Sequence, residues 1–126
     1  MRKRLIPPPP DGEDEHTVRL HVVHLVLLAL LKRDIRILHT LSLKMTDLYL
    51  RSLRLLEKEI ADGLWDIRRQ LRRRGIRILK QHRTSEGVQV IYLCRGYERS
   101  MSVSWERIRE ECVQRLAPSA GEPVRD

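Results

Sequence analysis

The chain has 126 residues, a formal net charge of +8 and only two cysteines. This length fits one domain that can bury a core without a disulfide or metal staple. Two cysteines are too few for a disulfide framework or a closed zinc site, so Cys94 and Cys112 are predicted to be small buried side chains in a reducing, cytoplasmic compartment. Because the chain contains no phenylalanine, leucine, isoleucine and valine must form most of the core.

Both ends of the chain are predicted to be disordered tails, residues 1–16 and residues 117–126. The first tail begins with basic residues, continues with four prolines and ends with four acidic residues between Asp11 and Glu15. Proline removes backbone donors and favours an extended left-handed helix, so neither a helix nor a sheet is expected to cross the proline run. The folded domain is assigned to residues 17–116, and deletion of residues 1–15 and 118–126 is expected to change the melting temperature little.

The first helix is predicted to begin near Thr17, whose hydroxyl can cap the exposed backbone amides. From Val22 to Leu31 only His24 interrupts an apolar run, which indicates a central core helix. Ten residues cannot span a bilayer, which needs about 20, so no membrane association is expected. His21 and His24 have a spacing that can hold a metal ion, but no third ligand lies nearby except His16 in the predicted tail. They are therefore interpreted as structural histidines, and neither a metal site nor a cofactor is predicted.

A second long helix is predicted to begin near Thr46. Its apolar residues recur at spacings of three and four, namely Tyr49, Leu53, Leu56, Ile60, Leu64, Ile67 and Leu71. A break at Gly63 would give a winged helix-turn-helix, with residues 64–74 as the recognition helix and the following hairpin as the wing. Because the apolar stripe stays in phase across Gly63, one helix of about 28 residues is favoured, ended by Gly75.

The region around the start of this second helix is unusually apolar. In the segment 34–44, the residues Ile35, Leu38, Leu41 and Leu43 predict that the segment is anchored to the core. Leu48, Leu50 and Leu55 lie off the main stripe, so the helix is apolar almost all round at its start. Either the preceding segments wrap these leucines, or they are buried in a homodimer, which is the favoured prediction.

A β-hairpin is predicted from Ile76–Arg83 and Val88–Arg95, which are rich in branched residues and flank a turn sequence at 84–87. Residues 95–97 are expected to end the hairpin. A last helix is predicted from about Val103 to Leu116 by its apolar periodicity. The predicted fold class is a helix-rich α+β single domain in the order α-α-β-β-α.

The stretch from Arg68 to Arg83 contains eight positive side chains and no acid, so its local charge equals the net charge of the whole chain. Such a one-sided run is tolerated most easily opposite an anionic partner. The candidate nucleic-acid-binding residues are Trp65, Arg68, Arg69, Arg72, Arg73, Arg74, Arg77, Lys80 and Arg83. For Trp65 the favoured interpretation is that its ring covers the rim of the core, and a stacking contact with a base or a contact with a partner is the alternative.

Motifs of the common enzyme classes are missing from the sequence. There is no glycine-rich phosphate loop, no serine-centred elbow and no HExxH motif, so the protein is predicted not to be an enzyme and no small-molecule substrate is expected. The favoured hypothesis is a nucleic-acid-binding protein with a regulatory role that uses the basic helix end and hairpin, with DNA favoured over RNA. The alternative is a non-enzymatic interaction protein that forms a homodimer or binds an acidic protein, with its charges on a solvated face.

The sequences LRRRGIRIL and EGVQVIYLCRGY, followed by a helix that contains Trp105, carry a resemblance to known proteins. In this combination the chain resembles a group of small uncharacterised proteins of Gram-positive bacteria and their mobile elements. The resemblance covers residues from about Leu48 to Leu116. It implies a bacterial α+β domain, and no known activity comes with it.

Overall fold

The computed structural model describes residues 6–119, which form three helices and a three-stranded antiparallel sheet. The elements are α1 (Gly12–His39), α2 (Thr46–Arg73), β1 (Ile76–Arg83), β2 (Gly87–Cys94), β3 (Tyr97–Ser104) and α3 (Trp105–Ser119). The predicted α+β single domain is confirmed, with one strand more than the sequence pattern indicated. Those parts of the two predicted tails that comprise residues 1–5 and 120–126 lie outside the described residues.

The additional strand is β3, with the sequence YERSMSVS. Residues 95–97 were expected to end the hairpin, but Arg95 and Gly96 have φ values of 51° and 91° and turn the chain back along β2. A two-residue turn with positive φ at both positions matches the twist of antiparallel strands. Val103 lies opposite Val88 and Met101 opposite Val90, so β3 adds its few apolar residues to the core face of the sheet.

All three helices pack on one face of the sheet. Helix α1 contacts α2, α3 and β3, while α2 adjoins β1 and α3 adjoins β2 and β3. Alternate residues of β2 face the helices and are buried, namely Val88, Val90, Tyr92 and Cys94. The central position of α1 agrees with its predicted role, since Val22 and Val23 are fully buried. Cys94 and Cys112 are free and buried, as predicted.

Helix α2 is continuous through Gly63 and has 28 residues, so the predicted single helix is confirmed and the winged helix-turn-helix alternative is wrong. Gly63 serves helix packing instead of a turn. A Cβ atom at this position would lie 3.1 Å from Nε2 of His24 on α1. The absence of a side chain therefore allows the two helices to approach closely at this crossing.

The paired helices extend beyond the sheet. A 28-residue helix is about 42 Å long, whereas an eight-residue strand spans about 26 Å. Among the described residues, burial in α1 ends at Leu31, and Leu50 is the one buried position of α2 before Ile60. We refer to residues 30–56, the distal halves of α1 and α2 with their connecting loop, as the helical arm.

The apolar residues of the helical arm are only partly covered. Ile35 and Leu38 are half-buried as predicted, but Leu41 and Leu43 are 46% and 45% exposed, so the prediction that they anchor the segment to the core is wrong. They lie in the loop at the tip, where the protein provides no third layer to cover them. Leu50, which was expected to be buried in a homodimer, is already 95% buried within one chain, since only 5% of it is exposed.

Helix α1 begins at Gly12, five residues before the predicted start at Thr17. The backbone amide of Asp14 donates to Oδ1 of Asp11 at 2.9 Å, and the amide of Asp11 donates to Oδ2 of Asp14 at 3.0 Å. This reciprocal capping box satisfies amides that would otherwise lack partners. Its sequence, Asp-Gly-Glu-Asp, differs from the usual Ser/Thr-x-x-Glu/Gln signature, so the local pattern gives only a weak signal for a helix start at this position.

The side chain of Asp14 is completely buried and joins three parts of the chain. Nη2 of Arg95 donates to its carboxylate at 2.6 Å, and Nη1 of Arg74 donates at 3.2 Å. Arg95 also donates to the carbonyl oxygens of Pro8 and Pro9 at 2.8 and 3.1 Å, so the proline run lies against the β2–β3 turn. The Arg95 hydrogen bond is the main reason why the pKa of Asp14 lies far below its usual range.

We therefore predict that Asp14→Ala destabilises the fold strongly, in contrast to the small effect expected from the sequence for deletion of residues 1–15. Loss of Asp14 leaves Arg95 and Arg74, whose side chains are 20% and 33% exposed, without their shared partner and costs about 1–3 kcal/mol. Chemical denaturation should show this loss of unfolding free energy for Asp14→Ala and for the deletion alike.

Glu13→Gln is the matched control, because Glu13 also pairs with Arg74, at 3.0 Å, but its side chain is 79% exposed. An exposed pair contributes about 0–1 kcal/mol, so this variant should unfold nearly as the wild type does. Equal stability of Asp14→Ala and Glu13→Gln would contradict the structural role of Asp14.

Candidate nucleic-acid interface

The last turns of α2 present five of the predicted site residues on one continuous surface. These are Trp65, Arg68, Arg69, Arg72 and Arg73, which we call the α2 basic cluster. Each has at least one other member of the cluster three or four positions away along the helix, so the side chains are neighbours on its surface. Leu64, Ile67 and Leu71 are buried on the opposite side and fix the rotation of the helix against the core.

The side chains of the α2 basic cluster are all exposed. Trp65 is 59% exposed and therefore does not act as a cover for the core. The Arg69 guanidinium lies over its ring, 5.1 Å from the centroid, in a cation–π arrangement. Arg69 also has a loose exposed ion pair with Asp66 at 4.0 Å, which solvent screens strongly.

Arg74 follows Arg73 in the sequence but is not part of the α2 basic cluster, because its side chain is already ion-paired within the protein. Its guanidinium binds the carboxylates of Asp14 and Glu13 at 3.2 and 3.0 Å, and these hydrogen bonds raise its pKa. The charge of Arg74 is therefore used inside the protein. Sequence alone could not distinguish it from Arg73, because its buried partner lies 60 positions away in the chain.

The remaining predicted residues lie elsewhere. Arg77 pairs in register with Leu93 and Lys80 with Ile91, positions that alternate with the buried residues of β2. Their side chains therefore project from the face of the sheet opposite to the helices. Arg83 is at the far end of β1, with its guanidinium 5.8 Å from the Trp105 ring centroid. The fold thus divides the predicted basic surface into separate regions.

Two buried histidines lie beneath the α2 basic cluster. Burial lowers the pKa of His21 to about 4, and the positive charge of Arg68 adds to this effect. Burial also lowers the pKa of His24, whose Nδ1 lies 2.8 Å from the carbonyl oxygen of Leu20. Both rings are consequently neutral near pH 7 and do not repel the arginines above them. No group of three or more potential metal ligands occurs within residues 6–119.

These features define a small basic α+β protein in which a long helical hairpin covers one face of a three-stranded sheet. The family model described as YhjD protein matches residues 9–122, so the chain belongs to the YhjD protein family. This description names no activity, substrate or partner. No curated protein and no solved structure matches the chain. Over the described part of the chain, we find no helix with the length and apolar character needed to cross a membrane.

The pKa of His21 leads to a prediction about stability below neutral pH. Since the folded-state pKa is about 4 and the unfolded value is about 6.5, protonation favours the unfolded chain. The contribution of neutral His21 should be complete above pH 6.5 and decrease as the pH falls towards 4, by up to about 3 kcal/mol. Denaturant unfolding at several pH values should show a smaller decrease over this window for His21→Leu.

The exposed histidine of β1 provides the control for this experiment. His82→Leu makes the same substitution at an exposed position, so it controls for the loss of a histidine outside the core. The loss of the Asp14 ion pair is a separate event at lower pH, since a lowered carboxyl pKa contributes stability that disappears only in stronger acid. An unaltered pH profile in His21→Leu would show that this ring is not held neutral by burial.

Proposed function

We propose that the protein binds nucleic acid, duplex DNA in particular, through the α2 basic cluster. The observation that carries this proposal is the presence of four exposed arginines on adjacent turns of one helix, with no acidic residue between Arg68 and Arg73. Three buried residues of the same helix hold this surface in place. A preformed array of guanidinium groups can bind phosphates without the entropic cost of ordering a loop.

The chemistry of the cluster suits a phosphate backbone with bases nearby. Guanidinium groups bind phosphate oxygens in a bidentate manner and stay charged at every physiological pH. Trp65 extends the surface with an exposed aromatic face that can contact a sugar or an unstacked base. Arginine can also read guanine in the major groove, which is the most frequent specific contact to a base.

This proposal is narrower than the hypothesis from sequence, because the hairpin is left out of the principal contact surface. The groups with the most strongly shifted pKa values, Asp14 and His21, serve packing and ion pairing within the fold. This supports a binding role without catalysis. We place the protein in the bacterial cytoplasm, with a regulatory role, in line with its resemblance to proteins of Gram-positive bacteria and mobile elements.

The salt dependence of duplex binding tests the proposal. Each neutralised phosphate contributes about −0.9 to the slope of log K against log salt, so four arginines predict a slope of about −3.5. Arg72→Ala should reduce the magnitude of this slope by about one and weaken binding to all sequences alike. Fluorescence anisotropy with a labelled duplex at several salt concentrations gives both quantities.

Variants on the opposite face of the sheet provide matched controls. Arg77→Ala and Lys80→Ala remove the same charge from exposed positions outside the α2 basic cluster, so both should retain the wild-type slope. Equal losses in all three variants would indicate a diffuse electrostatic attraction. Absence of duplex binding at about 150 mM salt, or binding of heparin with the same strength, would contradict the proposed function.

The interaction-protein alternative is supported by a different observation. Exposed apolar residues are concentrated in the helical arm, where Leu55 is 60% exposed and Met45 is 51% exposed. Apolar surface of this extent commonly marks a protein–protein contact. Such a contact does not compete with the α2 basic cluster, because the arm and the cluster occupy different halves of α2.

A further inference from the structure

The helical arm carries most of the large apolar side chains that remain exposed in the described part of the chain. They are Leu30, Ile37, Leu41, Leu43, Met45, Leu48, Tyr49 and Leu55, each between 40% and 60% exposed. Together they leave on the order of 700 Å² uncovered, comparable with the roughly 800 Å² that each partner buries in a stable interface of standard size. The apolar area of the whole arm, with α1 and the loop included, is therefore on the scale of a stable association.

The arrangement of this surface on α2 resembles a helix-packing seam. Met45, Leu48, Ser52 and Leu55 follow each other at spacings of three, four and three, the spacing with which helices pack side by side. At 3.6 residues per turn, these positions lie about 110–120° around α2 from the buried residues of the helix. A second helix can therefore lie along this side of α2 without displacing α1.

The charges along the seam indicate what occupies it. Residues 47–59 contain three acids, Asp47, Glu57 and Glu59, and three bases, Arg51, Arg54 and Lys58. This half of α2 is electrically balanced, although the whole chain carries +8. The excess positive charge of the arm lies in residues 30–45, in α1 and the loop, which contain four bases and one acid. The α2 seam itself therefore adds little attraction for an acidic protein or an anionic membrane, and two copies of it meet with no net charge on either helix half.

We propose that the helical arm binds a second copy of this chain, with the two α2 helices antiparallel about a two-fold axis near Ser52. A two-fold interface pairs the same surface on both subunits, and position 48 of one helix then lies opposite position 55 of its partner. The small side chain of Ser52 lies at the centre, where the two helices approach most closely. The leucines and methionines of the two seams cover each other.

The dimer also brings two α2 basic clusters together for nucleic-acid binding, a step that rests on the proposed function. The α2 basic cluster lies about 110° around the helix from the seam, close to the direction of the two-fold axis. Rotation about the axis preserves that direction, so both clusters face the same side of the dimer. At 1.5 Å per residue, their centres are about 50 Å apart, or roughly 15 base pairs of duplex.

Sedimentation velocity on the full chain tests the association. Concentrations of about 5–100 μM are suitable because they exceed a dissociation constant in the micromolar range. The wild type should sediment as a dimer and Leu55→Glu as a monomer with an unchanged circular dichroism spectrum. Val113→Glu is the matched control, because Val113 is also 60% exposed and helical but lies on α3. It should remain dimeric. A monomeric wild type, or loss of the dimer in both variants, would overturn the proposal.

Cross-linking tests the position of the two-fold axis. Ser52→Cys should form an intermolecular disulfide under mild oxidation, whereas Ser85→Cys, at the exposed hairpin turn, should not. The native cysteines are buried and give little background. A disulfide with equal yield in both variants would show that collision, and not a defined interface, brings the residues together. Slow hydrogen exchange of the backbone amides of the arm that appears only when anionic vesicles or an acidic peptide are added would also overturn the proposal.

Affinity measurements with duplexes of two lengths distinguish failure of this inference from failure of the proposed function. We compare the affinity for a duplex of about 24 base pairs with the affinity for one of about 10 base pairs. The ratio of these affinities should be at least tenfold larger for the wild type than for Leu55→Glu, because only the dimer can bind one duplex with two basic clusters. Equal length preference in the two proteins would contradict the paired clusters. If the wild type is a dimer but binds neither duplex, the proposed function is wrong and the arm interface stands.

Discussion

The buried carboxylate of Asp14 is the interaction on which the rest of the structure depends. It receives hydrogen bonds from Arg95 at the β2–β3 turn and from Arg74 at the end of α2. A buried charge is costly unless it is paired and hydrogen-bonded, so these three positions must come together in the folded chain. The pairing of residue 14 with residue 74 and the contact of His24 with Gly63 set the antiparallel register of α1 and α2.

The register of α1 and α2 determines which arginines of α2 remain exposed and can contact a binding partner. Arg74 is bound by Asp14 and Glu13, whereas Arg68, Arg69, Arg72 and Arg73 are exposed on the neighbouring turns. The local charge of +8 is therefore divided by the fold among the ion pairs of Arg74, the surface of α2, the outer face of the sheet and Arg83 beside Trp105. The helix surface is the part with the highest density of exposed charge, and for this reason it carries the proposed function.

The sequence predicted those elements whose local pattern is strong. The apolar period of α2 was sufficient to predict its length and its continuity through Gly63, and branched residues were sufficient for the β1–β2 hairpin. Strand β3 was missed because its outward positions include Ser100 and Ser102 and only Met101 and Val103 supply an apolar face. The role of Arg74 depends on a residue 60 positions away, and no local pattern reports such a pair.

The two halves of α2 have different surfaces on one rigid element. The first half has balanced charge and an apolar seam, and the last turns have four arginines and a tryptophan. Because the helix is unbroken at Gly63, the position of one surface fixes the position of the other. If two copies associate through the first half, the spacing of their basic clusters follows from the helix length alone. A flexible joint at Gly63 would have removed this relation. Glycine weakens a helix, but here it allows the close approach of His24, and the buried residues on either side of it keep the helix continuous.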